Sequence, residues 1–168
     1  MTGPDRPAIV IREATLADVD ALVAILVEVA GEGRWIGTEA PVDLERRRQR
    51  MVEDIEGAHA IILVAEADGE PVGQLGLELA RYGVADLGML VAAGWRGRGV
   101  GTALMAEAVE RARAAGAHKI ALQVWPHNAA AIALYERFGF QREGYLRRHY
   151  RRRSGELWDA VIMGLRLD

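Results

Sequence analysis

The residues best suited to chemistry lie in one stretch, residues 87–105, LGMLVAAGWRGRGVGTALM. Its first five residues are apolar and suit a buried strand, residues 95–99 form a Gly- and Arg-rich turn, and the remainder opens a helix. Strand, glycine turn and helix start in that order make a cradle for an anion. The backbone N–H groups of Arg98, Gly99, Val100, Gly101 and Thr102 would lack partners within a helix beginning there, and the macrodipole adds about half a positive charge. Helices usually place Asp or Glu in their first turn, yet no acid occurs between Asp86 and Glu107, and Arg96 and Arg98 add positive charge. Gly97, Gly99 and Gly101, at alternate positions, remove side chains that would hold a pyrophosphate away from the backbone. On glycines alone, a turn with solvated arginines is the competing reading.

Spacing excludes the other common phosphate motifs. A dinucleotide fingerprint starting at Gly97 or Gly99 would need its third glycine at Thr102 or Leu104. A Walker-type loop ends in Gly-Lys-Ser/Thr, whereas the one lysine in the chain is Lys119. Nucleotide hydrolysis and hydride transfer therefore have no support.

Arg96-Gly97-Arg98-Gly99-Val100-Gly101 resembles the Gln/Arg-x-x-Gly-x-Gly/Ala signature of the GCN5-related N-acetyltransferases, the GNAT superfamily. Residues 128–140, NAAAIALYERFGF, resemble the family's second motif, Asn-x-x-Ala-x-x-Leu-Tyr followed by Gly-Phe. The resemblance covers about residues 8–167. It implies acetyl-CoA as acyl donor, without a metal, and a cradle of Arg96, Gly97, Arg98, Gly99, Val100, Gly101 and Thr102 around the pyrophosphate. Met89, Leu90 and Val91 would pair with the pantetheine arm, with an N–H near Leu90 contacting the thioester carbonyl. Asn128 and Ala131 would touch the cofactor, and Tyr135 would donate a hydrogen bond to the leaving sulfur.

Amine attack on a thioester passes through a tetrahedral oxyanion and expels a thiolate, so a site must hold the donor, polarise the carbonyl, supply a neutral amine and stabilise the sulfur. Reference values of about 10 for Tyr and about 8.5 for a thiol make full proton transfer from Tyr135 uphill by roughly 2 kcal/mol, which favours hydrogen bonding. Without its motif, Tyr135 would read as half-buried packing, and Asn128 as an N-cap, a role compatible with cofactor contact. An α-amino group near 8 is partly neutral at pH 7, whereas an aliphatic amine near 10.4 is almost wholly charged. The need for a base thus depends on the acceptor. Glu78 and Asp86, the acids nearest the entrance of the central strand, are the candidates, with simple solvent exposure as the alternative.

Composition sets the outer bounds. A chain of 168 residues, 51% hydrophobic, suits one domain with an adequate core, preceded by a loose end over residues 1–7. Net charge −3 argues against general nucleic-acid or membrane attraction, and no run approaches a membrane span or a signal peptide. A cytoplasmic protein is the default expectation. Without cysteines there is neither a thiol nucleophile nor a thiolate zinc site, and the four histidines lack paired metal-ligand spacing.

The supporting elements read in order. A short strand over residues 8–12 precedes a helix with Val19, Leu22, Val23, Leu26 and Val27 at helical spacing. A loop carrying Trp35, Ile36 and Glu39 follows. Trp35 can wall the acceptor site or cover the core. A second helix over residues 42–55 presents Arg46, Arg47, Arg48 and Arg50 as a solvated face. Asp68-Gly69 joins two Ile/Val/Leu-rich runs in a hairpin, and the central strand spans residues 84–91. After the helix that begins at Gly99, residues 119–124 make a strand parallel to the central one. A short helix capped by Asn128 and ended by Gly139 leads to a closing hairpin, residues 140–150 and 157–167. Its arginines, Arg147, Arg148, Arg151, Arg152 and Arg153, read as an exposed edge that discourages strand pairing.

The expected fold is α/β (mixed α+β): a twisted, mostly antiparallel sheet with one parallel pair at the cofactor cleft and helices on both faces. The expected activity is acetyl transfer to a primary amine of a small molecule such as an amino acid, polyamine or amine antibiotic. A protein N-terminus or lysine as acceptor is one alternative, and a non-catalytic acyl-CoA sensor another. An RNA partner on the arginine run is opposed by net acidity. A homodimer is expected only because dimers are common among similar proteins.

Overall fold

The computed structural model describes residues 7–168, so the expected loose end lies, Pro7 apart, outside the described residues. Strands β1 (Ile9–Glu13), β2 (Ala60–Ala67), β3 (Glu70–Leu79), β4 (Val84–Val91), β5 (Lys119–Val124), β6 (Gln141–Arg151) and β7 (Leu157–Arg166) form one sheet in the order β1-β2-β3-β4-β5-β7-β6. Every neighbouring pair is antiparallel except β4 with β5. Helices α1 (Val19–Gly31), α2 (Leu44–Glu56), α3 (Val100–Ala114) and α4 (Ala129–Arg137) complete the architecture expected from the sequence. No helix of the described residues is long and apolar enough to cross a membrane.

The two-residue period of the strands sorts side chains between the faces. Leu63, Leu75, Leu77, Ala85 and Leu87 pack with Val100, Leu104, Met105 and Ala108 of α3 in the main core. Gln74, of opposite parity, points to the other face, where its amide donates to the Leu22 carbonyl of α1 at 3.2 Å. The β2–β3 turn is built on Asp68 (φ 52°) and Gly69 (φ 80°), the left-handed pair that suits a tight hairpin. The start of α1 is tied to β1 through Asp18, which is 6% exposed and receives Arg12 Nη1 and Nη2 at 2.7 and 2.8 Å. Hydrogen bonds from Arg12 hold its carboxyl below the usual range.

One irregularity of the sheet creates the site. β4 and β5 pair only at Val84–Lys119, Ala85–Ile120 and Asp86–Ala121. Beyond Asp86, β4 continues to Val91 with β3 alone beside it, while β5 stays with β7. The carboxyl ends of the parallel pair separate into a wedge, the place where open sheets bind ligands.

The closing hairpin departs from expectation. Arg152 is 6% exposed, with its guanidinium 4.3 Å from the Trp158 ring centre and 5.6 Å from that of Trp125. It donates to the Gly37 and Ile36 carbonyls at 3.1 and 3.4 Å. Arg153 gives its N–H to Glu39 and its Nη1 to the Ala40 carbonyl at 2.7 Å. Two of the five arginines therefore staple the α1–α2 loop to the β6–β7 turn. A charge run reveals no aromatic partners distant in sequence.

Candidate active site

Helix α3 starts at Val100, with Gly99 as its N-cap rather than its first residue. The first bond runs from the Ala103 N–H to the Gly99 carbonyl at 3.0 Å, leaving the N–H groups of Val100, Gly101 and Thr102 without helical partners. Gly97 (φ 70°) and Gly99 (φ 87°) adopt left-handed conformations that turn the chain from β4 into the helix. Nothing lies within 4 Å of the Cβ that either lacks. Gly101 has a different reason: a Cβ there would stand 3.1 Å from Leu134 Cδ2 and 3.6 Å from Met89 Cε. It allows α3 to approach α4.

The wedge opens as a cleft of about 500 Å³. Met89, Leu90 and Val91 line it from β4; Arg96, Gly97, Gly99, Gly101 and Thr102 from the turn; Asn128, Ala131 and Tyr135 from α4. The side chain of Val100 is buried in the core, and the Arg98 guanidinium lies 5.1 Å from the Trp95 ring centre. Arg96 forms a fork with Glu32 at 2.8 and 2.6 Å and donates Nε to the Val91 carbonyl at 3.1 Å. These bonds hold Glu32 below the usual carboxylate range and fix the turn to the end of α1. Trp35 donates to the same carboxylate at 2.9 Å and stands on the cleft wall with Ile36.

Tyr135 is 6% exposed and lies 5.6 Å, centre to centre, from Phe140. Burial disfavours the phenolate and pushes its pKa up to about 12. Asn128 caps α4 by accepting from the Ala131 N–H at 3.3 Å.

A second hollow, about 360 Å³, lies on the α1/α2 side of β4. Its floor is bare because Gly76 of β3 pairs directly with Gly88 of β4. Beyond the glycines, Gln74 faces Leu90 on one side and Glu78 faces Asp86 on the other. Arg47, Met51 and Asp54 of α2 form the wall. Both expected base candidates thus come together. Two carboxylates directly opposed across a ladder weaken it, so packing does not account for them. Arg50 approaches Glu78 only to 3.8 Å.

Arg47 does not share the solvated face expected for the arginines of α2. It is half-buried in this wall, burial lowers its pKa, and its Nη2 donates to Thr38 Oγ1 at 3.2 Å. The sequence reading missed Arg47, Met51, Asp54, Gly76 and Gly88 as site residues. The spacing of the α2 residues, i, i+4 and i+7, was the available signal. Met89 and Leu90, near the carboxyl end of β4, line both openings.

A wedge between parallel strands, a glycine turn at the start of α3 and a buried tyrosine on α4 make up a candidate acyl-CoA-type transferase site. Residues 28–140 match the acetyltransferase (GNAT) family. The L-methionine sulfoximine/L-methionine sulfone acetyltransferase of Pseudomonas aeruginosa is 31% identical, with 94% of each chain covered. The L-amino acid N-acetyltransferase of Escherichia coli is 34% identical over 92% of this chain and 96% of its own. Among solved structures, the ribosomal-protein-alanine N-acetyltransferase of Brucella melitensis superposes with a TM-score of 0.85 at 33% identity, over 94% of this chain and 99% of its own. The chain belongs to the GNAT family of N-acetyltransferases.

Proposed function

We propose that this acetyltransferase moves the acetyl group of acetyl-CoA to the primary amine of a small molecule, an amino acid or a close analogue, by direct attack. The observation that carries this reading is that two hollows share Met89 and Leu90 in their walls, one bordered by the open helix start and one carrying acids. The names of the amino-acid-acetylating relatives support the same acceptor class.

The chain's groups fit the donor. Left-handed Gly97 and Gly99 and the free amides of Val100, Gly101 and Thr102 suit a pyrophosphate. The edge of β4 without a strand partner, Met89, Leu90 and Val91, suits the pantetheine arm, with an N–H near Leu90 to polarise the carbonyl. When bound, acetyl-CoA supplies an activated acyl thioester. The acceptor ammonium first loses one proton, toward the acids Glu78 and Asp86 across the glycine floor; the neutral nitrogen forms the C–N bond, the C–S bond breaks with its electron pair going to sulfur, and the second proton shed by nitrogen after attack converts the thiolate to free thiol. With Tyr135 near 12 and a thiol near 8.5, proton transfer from the phenol is uphill by about 5 kcal/mol, so Tyr135 acts by hydrogen bonding to the departing sulfur.

A panel of free amino acids, amino-acid analogues, diamines and aminoglycosides with acetyl-CoA, read by thiol release and product mass, tests the reading. Acetylation of at least one amino acid or analogue is expected. Tight CoA binding with no release above hydrolysis for any amine would leave the sensor alternative standing. A protein N-terminus is the second reading, favoured by the likeness to the Brucella enzyme.

A further inference from the structure

We propose that Arg47 anchors the acceptor's carboxylate: the hollow beside α2 takes a free α-amino acid, whose carboxylate pairs with the Arg47 guanidinium while its amino group lies toward Met89 and Leu90. The inference rests on the acetyl-transfer reading above and narrows its acceptor.

Charge is distributed unevenly along α2. Arg48 is paired with Asp20 at 3.0 Å and Arg50 with Asp54 at 3.0 Å, both at the surface. Arg47, the more buried of the three, has no carboxylate within 4 Å among the described residues, and the Thr38 hydroxyl is its one side-chain partner. A guanidinium carries five donors in a planar fork that matches a carboxylate. Withdrawing one from water is unfavourable, which its lowered pKa reflects, and the Asp54 carboxylate on the same helix offsets that only in part. The wall it joins bounds a hollow that shares Met89 and Leu90 with the cleft proposed for the donor. An incoming anion would complete it.

The rest of the hollow selects among amines. Glu78 and Asp86, across the glycine floor from Leu90, and Asp54 of α2 make the hollow favourable to a positive charge, and Leu26, Met51 and Ile62 offer apolar surface to a side chain. A zwitterion satisfies both signs. A diamine would satisfy the acids but would put its second cation near Arg47, and a peptide N-terminus carries an amide where the carboxylate is required.

The test compares L-methionine, L-leucine and L-glutamine with the carboxamide of each, using wild type, Arg47→Gln, Arg47→Lys and, as a control at an exposed neighbouring site, Arg46→Gln. Arg47→Gln should raise KM for the free acids roughly 10- to 100-fold, the range for a charge-assisted hydrogen bond, with little effect on the amides. Arg47→Lys should fall between, and Arg46→Gln should match wild type. Melting curves establish that each variant is folded, and calorimetry of the same compounds with CoA-saturated protein gives affinities without turnover. Amides acetylated as efficiently as acids by wild type, or KM raised equally for both by Arg47→Gln, would overturn the anchor and leave acetyl transfer intact. Arg47-dependent binding of the acids without acetylation of any amine would keep the anchor and remove the transfer reading. Absence of both binding and turnover for every free acid would overturn the anchor.

Discussion

The two hollows on either side of β4 are built differently. The cleft proposed for the donor joins main-chain features, left-handed glycines, the free amides of a helix start and a strand edge left open when β4 and β5 part, to a wall of side chains that includes Trp35, Ile36 and Tyr135. The smaller hollow is made of side chains brought by α1, α2 and three strands over a floor from which side chains are missing. Main-chain donors are the same whatever residues carry them, which suits a donor shared by a whole family. Side chains can change one at a time, which suits an acceptor that differs between members. The contrast predicts that the cleft fails through conformation and the hollow through chemistry.

The strongest way to break that contrast is Gly99→Val. A branched side chain at φ 87° would distort the helix start and obstruct the amides, so CoA affinity should fall on the order of 100- to 1000-fold by calorimetry. Unchanged affinity in a folded variant would remove the cradle. Arg152→Ala attacks the loop whose Trp35 and Ile36 wall the cleft. It should cost about 2–4 kcal/mol in urea unfolding and weaken both ligands together. A loss confined to one hollow would show that the walls are independent.

Tyr135→Phe sharpens the comparison on the cofactor side. It should lower kcat on the order of 10- to 100-fold and leave the KM for acetyl-CoA near wild type. Because burial raises the folded value to about 12 from about 10, the neutral phenol contributes stability that is full below pH 10 and lost as pH rises toward 12. The rate should therefore show no tyrosine limb near pH 10, and a decline centred there would contradict the assignment. The smallest effect belongs to the acid pair. Asp86→Asn or Glu78→Gln relieves a like-charge contact and should stabilise the sheet by roughly 0.2–1 kcal/mol in denaturant while slowing acetylation at pH 7. A variant that is more stable and equally fast would make the acids mere surface.

The same contrast explains what could be read without coordinates. The hairpin at Asp68-Gly69, the cap at Asn128, the parallel pair and the glycine turn into α3 each depend on local residue types with local conformational consequences, and all were legible. Arg152 and Arg47 were not. Each belongs to a run of arginines whose pattern suggests solvent, and each is held inward by groups outside its run: Trp125 and the Ile36 and Gly37 carbonyls for Arg152, the Thr38 hydroxyl for Arg47. Gly101 was legible as a glycine but not for its reason, since its contact with Leu134 exists only once two helices are packed.

The paired glycines Gly76 and Gly88 carry a further consequence. Neither has a positive φ; a Cβ at Gly88 would meet nothing within 4 Å, and one at Gly76 would reach ordinary contact with Ile62 Cδ1 at 3.4 Å. Alanine or serine could enter at either place at little expense to folding, taking room from the hollow beside α2. On the proposed reading of that hollow, substrate range could drift, or be engineered, by single steps that stability does not police.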